Sequence, residues 1–313
     1  MSKTQDAYKA ISEKILEALD KEIIPWSCPW DKTMTDAPRN LNTNRYYHGC
    51  NVFLLYLETA NRPEWEGCPY WLTFKQARAL GGHVKKGEKG TKIYFWKVTT
   101  SENEDEEEGQ TKRFWMQSFV VFNAMQTDGC KWPKGRYGAW KTPRTAPAPD
   151  PVDAAEAIVS GYPAPPEIVT GYDGRAYYRP SIDRVSMPPR ETFRTAEGWY
   201  STIFHELGHS TGHETRLARP EICGGDLSRI NRAREELVAE MTAAFLCTRA
   251  GLELHIENTA SYIDGWRREI SADPSIVMTA ASRAERAARH ILRETREGET
   301  EEAAPTSRQL ALV

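Results

Sequence analysis

Apolar residues recur at helical spacing in the first part of the chain. Ile11, Ile15, Leu16 and Leu19 fall on one side of a segment that predicts a helix over residues 6–22. Further apolar segments predict a buried helix over 51–60, a helix over 73–80 with Thr73 as its N-cap, and two strands over 92–98 and 114–122. These elements indicate a small α+β domain.

The second part of the chain is mostly helical by the same criterion. A short sheet is predicted within 166–187, and a helix then extends from residue 196 to a helix stop at Gly212. A second helix over 233–246 has one apolar face, and further helices are expected over 257–293. The predicted fold class is α+β, with a small α+β domain followed by a mostly helical one.

Proline and charge mark the expected domain boundaries. Five prolines and few apolar residues occur between residues 132 and 151, a composition typical of inter-domain linkers. We therefore predict a first domain over 1–130, a Pro-rich linker over 131–152, a second domain over 153–293 and a disordered polar tail over 294–313.

Composition favours a cytoplasmic protein. Hydrophobic residues make up 40% and charged residues 27% of the 313 residues, which is ordinary for globular chains. No apolar run is long enough to span a membrane, and the N-terminus has no signal-peptide core. We therefore expect no membrane partner. The six cysteines are scattered without a C-x-x-C pair, which indicates reduced thiols in a cytoplasm and not a disulfide framework or a metal knuckle.

The first domain is predicted to be basic apart from one acidic loop. Residues 1–134 contain 19 Lys and Arg and 18 Asp and Glu, but six of these acids lie within 102–108. That run predicts a solvated loop between the two strands, and its role is left open.

The most specific chemical signal is the H-E-x-x-H pattern from His205 to His209. Residues four apart lie on one face of a helix, so His205 and His209 can direct two imidazoles at one metal ion. Glu206 lies beside them and is predicted to be the catalytic base that takes a proton from water. This constellation is typical of zinc-dependent hydrolases.

Zinc requires a third protein ligand besides the two histidines. Gly212 fits a three-histidine pattern, but Thr215 stands where the third histidine would be and His213 is two residues too early. A carboxylate on the next helix is the alternative.

Glu236 and Glu240 lie one turn apart beside the apolar face of that helix. The arrangement resembles the gluzincin site, which implies Glu236 as the third metal ligand and Glu240 as the residue that orients a ligating histidine. Glu235 is expected on the solvated side of the helix, although it stays an alternative ligand because helical phase is uncertain from sequence.

Zn²⁺ is the expected metal, with Mn²⁺ or Co²⁺ as alternatives. Tyr177, His213 and Tyr262 are open alternatives for stabilising an oxyanion.

Aromatic residues interleaved with cations in the first domain indicate single-stranded nucleic acid, because bases stack on rings while cations follow phosphates. The alternative is that the rings are core residues and the cations are solvated. The candidates are Trp26, Trp30, Arg39, Asn40, Arg45, Tyr46, Tyr47, Lys85 and Lys86.

Several motifs, taken in order, resemble ArdC-type antirestriction proteins. In the first domain these are Pro25-Trp26, Pro38-Arg39-Asn40, Tyr47-His48-Gly49-Cys50-Asn51, Trp71-Leu72-Thr73-Phe74 and Lys86-Gly87-Glu88-Lys89-Gly90. In the second they are Asp183-Arg184-Val185-Ser186-Met187-Pro188, the H-E-x-x-H helix, Glu235-Glu236-Leu237-Val238-Ala239-Glu240 and Ser261-Tyr262-Ile263-Asp264-Gly265-Trp266.

The resemblance implies a single-stranded-DNA-binding domain followed by a zincin-like metallopeptidase domain. It also implies a protein of plasmids or other mobile elements that acts in the bacterial cytoplasm and protects incoming DNA from host defences. Its expected partners are single-stranded DNA and a protein substrate that the sequence does not name. Two alternatives stay open: a single-stranded-DNA-binding shield whose zinc domain is latent or structural, and a metallopeptidase whose first domain binds a protein partner.

Overall fold

A computed structural model of the chain describes residues 3–26, 37–65, 67–101, 111–138, 150–171, 173–224, 229–252, 254 and 259–294. The predicted acidic loop at 102–108, the candidate Trp30 and the predicted tail beyond residue 294 lie outside these residues. None of the helices in the described part combines the length and apolarity needed to cross a membrane.

The first half contains three helices and a four-stranded sheet among its described residues. The helices are α1 (Lys3–Asp20), α2 (Cys50–Ala60) and α3 (Phe74–Ala79). The strands are β1 (Arg39–Asn40), β2 (Tyr70–Thr73), β3 (His83–Val84), β4 (Thr91–Ser101), β5 (Thr111–Asn123) and β6 (Thr127–Asp128). The sheet order is β1-β2-β5-β4, while β3 and β6 form a separate pair. β4 and β5 form the long antiparallel hairpin expected on either side of the acidic loop.

Local capping explains where two predicted helices begin and end. The side chain of Thr73 accepts a hydrogen bond from the backbone of Gln76, which confirms the predicted N-cap of α3. α1 ends before the predicted residue 22, because Glu22 has a positive φ of 59° and Ile23 N donates back to Ala18 O at 2.9 Å.

The second half is a small sheet covered by helices. The strands are β7 (Glu167–Thr170), β8 (Tyr177–Arg179) and β9 (Arg184–Met187), in the order β7-β9-β8. The helices are α4 (Pro151–Gly161), α5 (Ala196–Ser210), α6 (Pro220–Cys223), α7 (Arg229–Ala250), α8 (Thr259–Ala272) and α9 (Ile276–Leu292). The predicted α+β class is confirmed.

One apolar core is shared by the two halves. Its buried residues come from α1, α2, β4 and β5 on one side and from α7, α8 and α9 on the other. Trp26 is at the centre of this contact, with ring centroids 6.4 Å from Phe53 and 4.9 Å from Trp266. The halves are therefore packed together and are not held only by the predicted linker.

Three cysteines lie in apolar surroundings. Cys50, Cys68 and Cys247 are buried free thiols, and burial raises the pKa of each to about 12. They behave as small core residues and not as reactive thiolates.

Gly208 sets how closely α5 approaches α7. A Cβ at this position would lie 3.1 Å from Ala239 Cα and 3.2 Å from both Ala239 O and Thr242 Cβ. Because two of these atoms belong to the backbone of another helix, they cannot rotate away. A Cβ at this position would therefore force the helices apart by a few tenths of an ångström.

We predict that Gly208→Val lowers the free energy of unfolding by about 1–3 kcal/mol, because its side chain overpacks the contact. The matched control is Gly265→Val in α8, where a Cβ meets nothing within 4 Å. Urea unfolding followed by circular dichroism measures both variants. Equal stability of the two would contradict the role assigned to Gly208.

Candidate metal centre

The helix α5 directs two histidine rings to the same point. Thr195 caps this helix by accepting a hydrogen bond from Gly198 N, and the H-E-x-x-H pattern occupies its last two turns. The Nε2 atoms of His205 and His209 are 3.1 Å apart. The spacing of four residues therefore produces the convergence that the sequence predicted.

The helix α7 brings Glu236 to the same two nitrogens. Its Oε2 lies 3.4 Å from His205 Nε2, and its Oε1 lies 3.7 Å from His209 Nε2. The three side chains form a group whose ligand atoms all lie within 4.8 Å of one another. Two imidazole nitrogens and one carboxylate oxygen are a donor set that could hold a divalent metal ion such as Zn²⁺.

Each histidine has its own carboxylate on the opposite ring nitrogen. Glu240 Oε1 lies 3.5 Å from His205 Nδ1, which is the position expected of a residue that orients a ligand. Glu235 Oε1 accepts a hydrogen bond from His209 Nδ1 at 3.1 Å. These contacts leave both Nε2 atoms directed at Glu236.

The expectation that Glu235 lies on the solvated side of the helix is wrong. Its side chain is buried, with 4% of the residue exposed. Burial of a carboxylate requires a charged partner, and Arg219 supplies it through Nε, which donates to Glu235 Oε2 at 2.8 Å. Glu235 therefore positions His209, and Glu236 faces the ligand position.

Arg219 is the principal residue that the sequence analysis missed. It lies in the segment between α5 and α6, is 4% exposed, and donates through Nη2 to the carbonyl of Gly208 at 2.8 Å. The same guanidinium contacts Thr211 and both oxygens of Glu235. No motif marks this arginine, since its role arises only when α5 and α7 pack together.

Charge coupling in the centre explains the direction of the pKa shifts. Burial alone lowers the pKa of His209, but hydrogen bonds to Glu235 and Glu236 outweigh it and raise that pKa well above its usual value. Burial likewise opposes ionisation of Glu236, yet the two histidines lower the pKa of this carboxyl group. Burial raises the pKa of Glu240, where Glu236 and Glu206 add like charge.

Glu206 lies in the site but is not one of the three converging groups. It is 7% exposed and precedes the last turn of α5. Its charge acts on both His205 and Glu240. It is therefore a buried carboxylate beside the metal ligands, as its place in the pattern predicts.

The three candidates for stabilising an oxyanion have different surroundings. His213 Nδ1 lies 2.8 Å from Thr215 Oγ1 in the turn after α5. Tyr177 lies on β8, where Arg179 covers its ring at 5.5 Å. The side chain of Tyr262 lies outside the described part of the chain.

The nucleic-acid candidates separate into buried and exposed residues. The expectation of exposed rings at Trp26 and Tyr47 is wrong, because 2% and 7% of these residues are exposed and both belong to apolar cores. Arg45 and Tyr46 are exposed on the loop that follows β1. Arg39 and Asn40, which form β1, are half-buried; Arg39 Cζ lies 4.9 Å from the centroid of the Tyr46 ring.

Asn40, Lys85 and Lys86 complete the described candidates. The Asn40 side chain orders the loop by accepting from Thr43 N at 3.0 Å and donating to Gln76 Oε1 at 3.1 Å. Lys85 and Lys86 are exposed between β3 and β4, and Lys85 Nζ donates to the carbonyl of Met125 at 2.9 Å.

Two family profiles match the chain. Residues 5–122 match the N-terminal domain of the anti-restriction factor ArdC, and residues 153–283 match a zincin-like metallopeptidase family. The fold and the centre thus define a zincin-like domain joined to an ArdC N-terminal domain.

Solved structures and curated relatives agree with this assignment. The antirestriction ArdC protein from plasmid R388 is 32% identical in its metal-free and Mn(II)-bound structures, with TM-scores of 0.72 and 0.71. The alignments cover 93% and 91% of this chain and 100% and 97% of those chains. The uncharacterized protein y4eC of Sinorhizobium fredii (strain NBRC 101917 / NGR234) is 30% identical over 294 residues, which are 90% of each protein. The chain belongs to the family of ArdC-type antirestriction proteins.

A DNA primase is also similar to this chain. The protein named DNA primase TraC from Escherichia coli is 31% identical over 297 residues, which cover 89% of this chain. The chain spans only 26% of the length of that primase.

We predict that Arg219→Met lowers the free energy of unfolding by about 3–5 kcal/mol, because Glu235 is left buried without its cation. Zn²⁺ affinity should fall about 10- to 100-fold as His209 loses its fixed partner. Urea unfolding and competition with a chelator measure the two effects.

The control is Arg249→Met, which removes an exposed ion pair with Glu294 and should change stability by about 0–1 kcal/mol. The double variant Arg219→Met with Glu235→Gln should regain part of the lost stability. Equal effects of the two single variants would show that the Arg219 pair is not structurally important.

Metal binding should weaken as the pH falls. A metal takes the neutral imidazole, whereas neighbouring carboxylates raise the pKa of His205 and His209 and favour the charged form. Binding must therefore displace protons near neutral pH. Zn²⁺ affinity measured by chelator competition should therefore fall as the pH is lowered through neutrality. Calorimetry in two buffers of different ionisation enthalpy should detect proton release, and a pH-independent affinity would contradict this account.

Proposed function

We propose that the protein is a metal-dependent peptidase whose N-terminal half binds single-stranded DNA. The observation that supports the peptidase role is the convergence of His205, His209 and Glu236 with Glu206 beside them. A purely structural metal site does not require the additional buried glutamate. Membership of the ArdC family supports the DNA-binding role and an antirestriction function in the bacterial cytoplasm.

The donor set fits one divalent metal ion. Two imidazole nitrogens and one carboxylate oxygen favour Zn²⁺, while the Mn(II)-bound ArdC structure supports Mn²⁺ as an alternative. The Glu236 side chain is 43% exposed, against 17% and 13% for His205 and His209, so the centre is open on the Glu236 side. A metal held there supplies Lewis-acid polarisation of a carbonyl group and lowers the pKa of water.

The protein side chains supply the proton transfers. Glu206 takes a proton from the attacking water and passes it to the amine that leaves the cleaved peptide. Glu240 and Glu235 hold the two imidazoles by their Nδ1 atoms, which keeps the Nε2 atoms available. The Arg219 guanidinium keeps Glu235 ionised for this purpose, since it lowers the pKa of that buried carboxyl group.

We predict that Glu206→Gln abolishes hydrolysis and leaves metal binding intact. Glutamine has nearly the same shape but cannot take the proton. Cleavage of fluorescent casein by the full-length protein with Zn²⁺ or Mn²⁺, with and without an oligonucleotide, measures activity. Metal content is measured on the same samples.

Controls separate the proton-transfer role from loss of the site. Glu197→Gln, a half-buried residue in the first turn of α5, should retain full activity, while His205→Ala should lose both metal and activity. Equal turnover by Glu206→Gln and the wild type would remove Glu206 from the mechanism. If the wild type has no activity yet protects single-stranded DNA from nucleases, the protein is a DNA-binding shield with a structural metal domain.

The DNA-binding role predicts salt-sensitive binding of single strands. Each Lys or Arg that contacts a phosphate releases condensed counterions, so affinity should fall steeply with salt. Fluorescence anisotropy of labelled single- and double-stranded oligonucleotides across a salt series measures this. The absence of single-strand binding at low salt would remove the DNA-protection role and favour a protein partner for the first half.

A further inference from the structure

The first residues of the predicted linker belong to the fold of the N-terminal half. Lys131 N donates to the carbonyl of Leu80 at 2.8 Å, and the Arg136 guanidinium donates to the carbonyl of Leu41. Segment 131–138 is thereby fixed against the loop that follows β1. This segment lies beyond the first domain predicted from the sequence, which ends at residue 130.

This segment completes a row of aromatic rings and one guanidinium. The ring centroid of Tyr137 lies 5.2 Å from that of Trp132, which lies 5.9 Å from that of Tyr70. Arg39 Cζ lies 5.5 Å from the Tyr70 ring and 4.9 Å from the Tyr46 ring. We call these five residues the aromatic row.

The two ends of the aromatic row are open to solvent. Tyr137 is 77% exposed and Tyr46 is 43% exposed, whereas Tyr70, in the middle of the row, is buried and only 6% exposed. A ring as exposed as Tyr137 adds little to the core, because almost none of its apolar surface is removed from water. Its neighbours nevertheless hold it in place through Trp132.

The two segments that supply four of the five residues of the aromatic row are basic, and Asp128 immediately precedes the second of them. Segments 37–46 and 129–138 together contain five basic residues and no acidic residue. The basic residues are Arg39, Arg45, Lys131, Lys134 and Arg136. A flexible polyanion with flat, stackable groups complements both the charge and the rings, and single-stranded nucleic acid has both properties.

We propose that single-stranded DNA crosses the aromatic row, with bases stacked on Tyr137 and Tyr46. Its phosphates lie along Arg45, Lys131 and Lys134. This assignment rests on the proposed DNA-binding function and specifies its surface. It extends that surface into residues beyond the predicted first domain, and it replaces the buried Trp26 and Tyr47 as stacking residues.

The test is fluorescence anisotropy of a fluorescein-labelled oligothymidylate with the full-length protein. Tyr137→Ala and Tyr46→Ala should each weaken binding about 5- to 100-fold, because each removes a stacking ring. Tyr137→Phe keeps the ring and should bind like the wild type. Phe119→Ala removes a ring outside the row that is 40% exposed, close to the 43% of Tyr46, and should also bind like the wild type.

The salt series distinguishes stacking from charge. Lys134→Ala should reduce the magnitude of the salt slope by about 0.7, since it removes one phosphate contact to a single strand. Tyr137→Ala should weaken binding at every salt concentration without changing the slope. Circular dichroism melts check that each variant is folded.

The outcomes separate the surface from the general function. If the wild type binds single strands and both Tyr137→Ala and Tyr46→Ala bind them as tightly as the wild type, the aromatic row is not the DNA surface. A protein ligand for the aromatic row then becomes the better account. If the wild type binds no single strands at low salt, the proposed DNA-binding function itself is wrong. Equal losses in Tyr137→Ala and Phe119→Ala would also overturn the assignment.

Discussion

The candidate metal centre depends on how closely α5 packs against α7. Gly208 allows the backbones to meet where any side chain would contact Ala239. His205 and His209 come from one helix and their three carboxylate neighbours from the other, so the distance between the helices sets each distance from a histidine to a glutamate in the centre. The buried Arg219 stabilises the same contact, because its guanidinium donates hydrogen bonds to the carbonyl of Gly208 on α5 and to Glu235 on α7. The packing of α5 against α7 therefore also fixes the relative positions of the histidine and glutamate side chains.

The excess of negative charge between α5 and α7 explains why the candidate metal centre suits a cation. Four glutamates, at 206, 235, 236 and 240, lie beside two histidines in a largely buried region, and Arg219 balances only one of them. Such an excess of carboxylates is costly in an apolar interior unless positive charge accompanies it. Without a metal, protons on the histidines supply that charge, which is why their pKa values are raised. A divalent metal ion can replace those protons.

The two halves of the chain are joined by more than a linker. Trp26 inserts between Phe53 of α2 and Trp266 of α8, and Glu285 of α9 accepts a hydrogen bond from Gly49 N at the start of α2 at 2.9 Å. Separating the halves would expose these apolar surfaces to water and break the hydrogen bond between Gly49 and Glu285. The proposed DNA surface and the metal centre thus belong to one packed unit within the described residues.

The sequence by itself determined the α+β class, the long hairpin and the placement of His205, Glu206 and His209 on one helix, because local periodicity and spacing specify these features. It also indicated an acidic residue from α7 as the third partner. Only the tertiary structure decided that Glu235 faces His209, that Arg219 accompanies it, and that Trp26 is core while Tyr137 is exposed. These outcomes depend on contacts between segments distant in sequence, and neither helical phase nor side-chain exposure can be obtained from spacing alone.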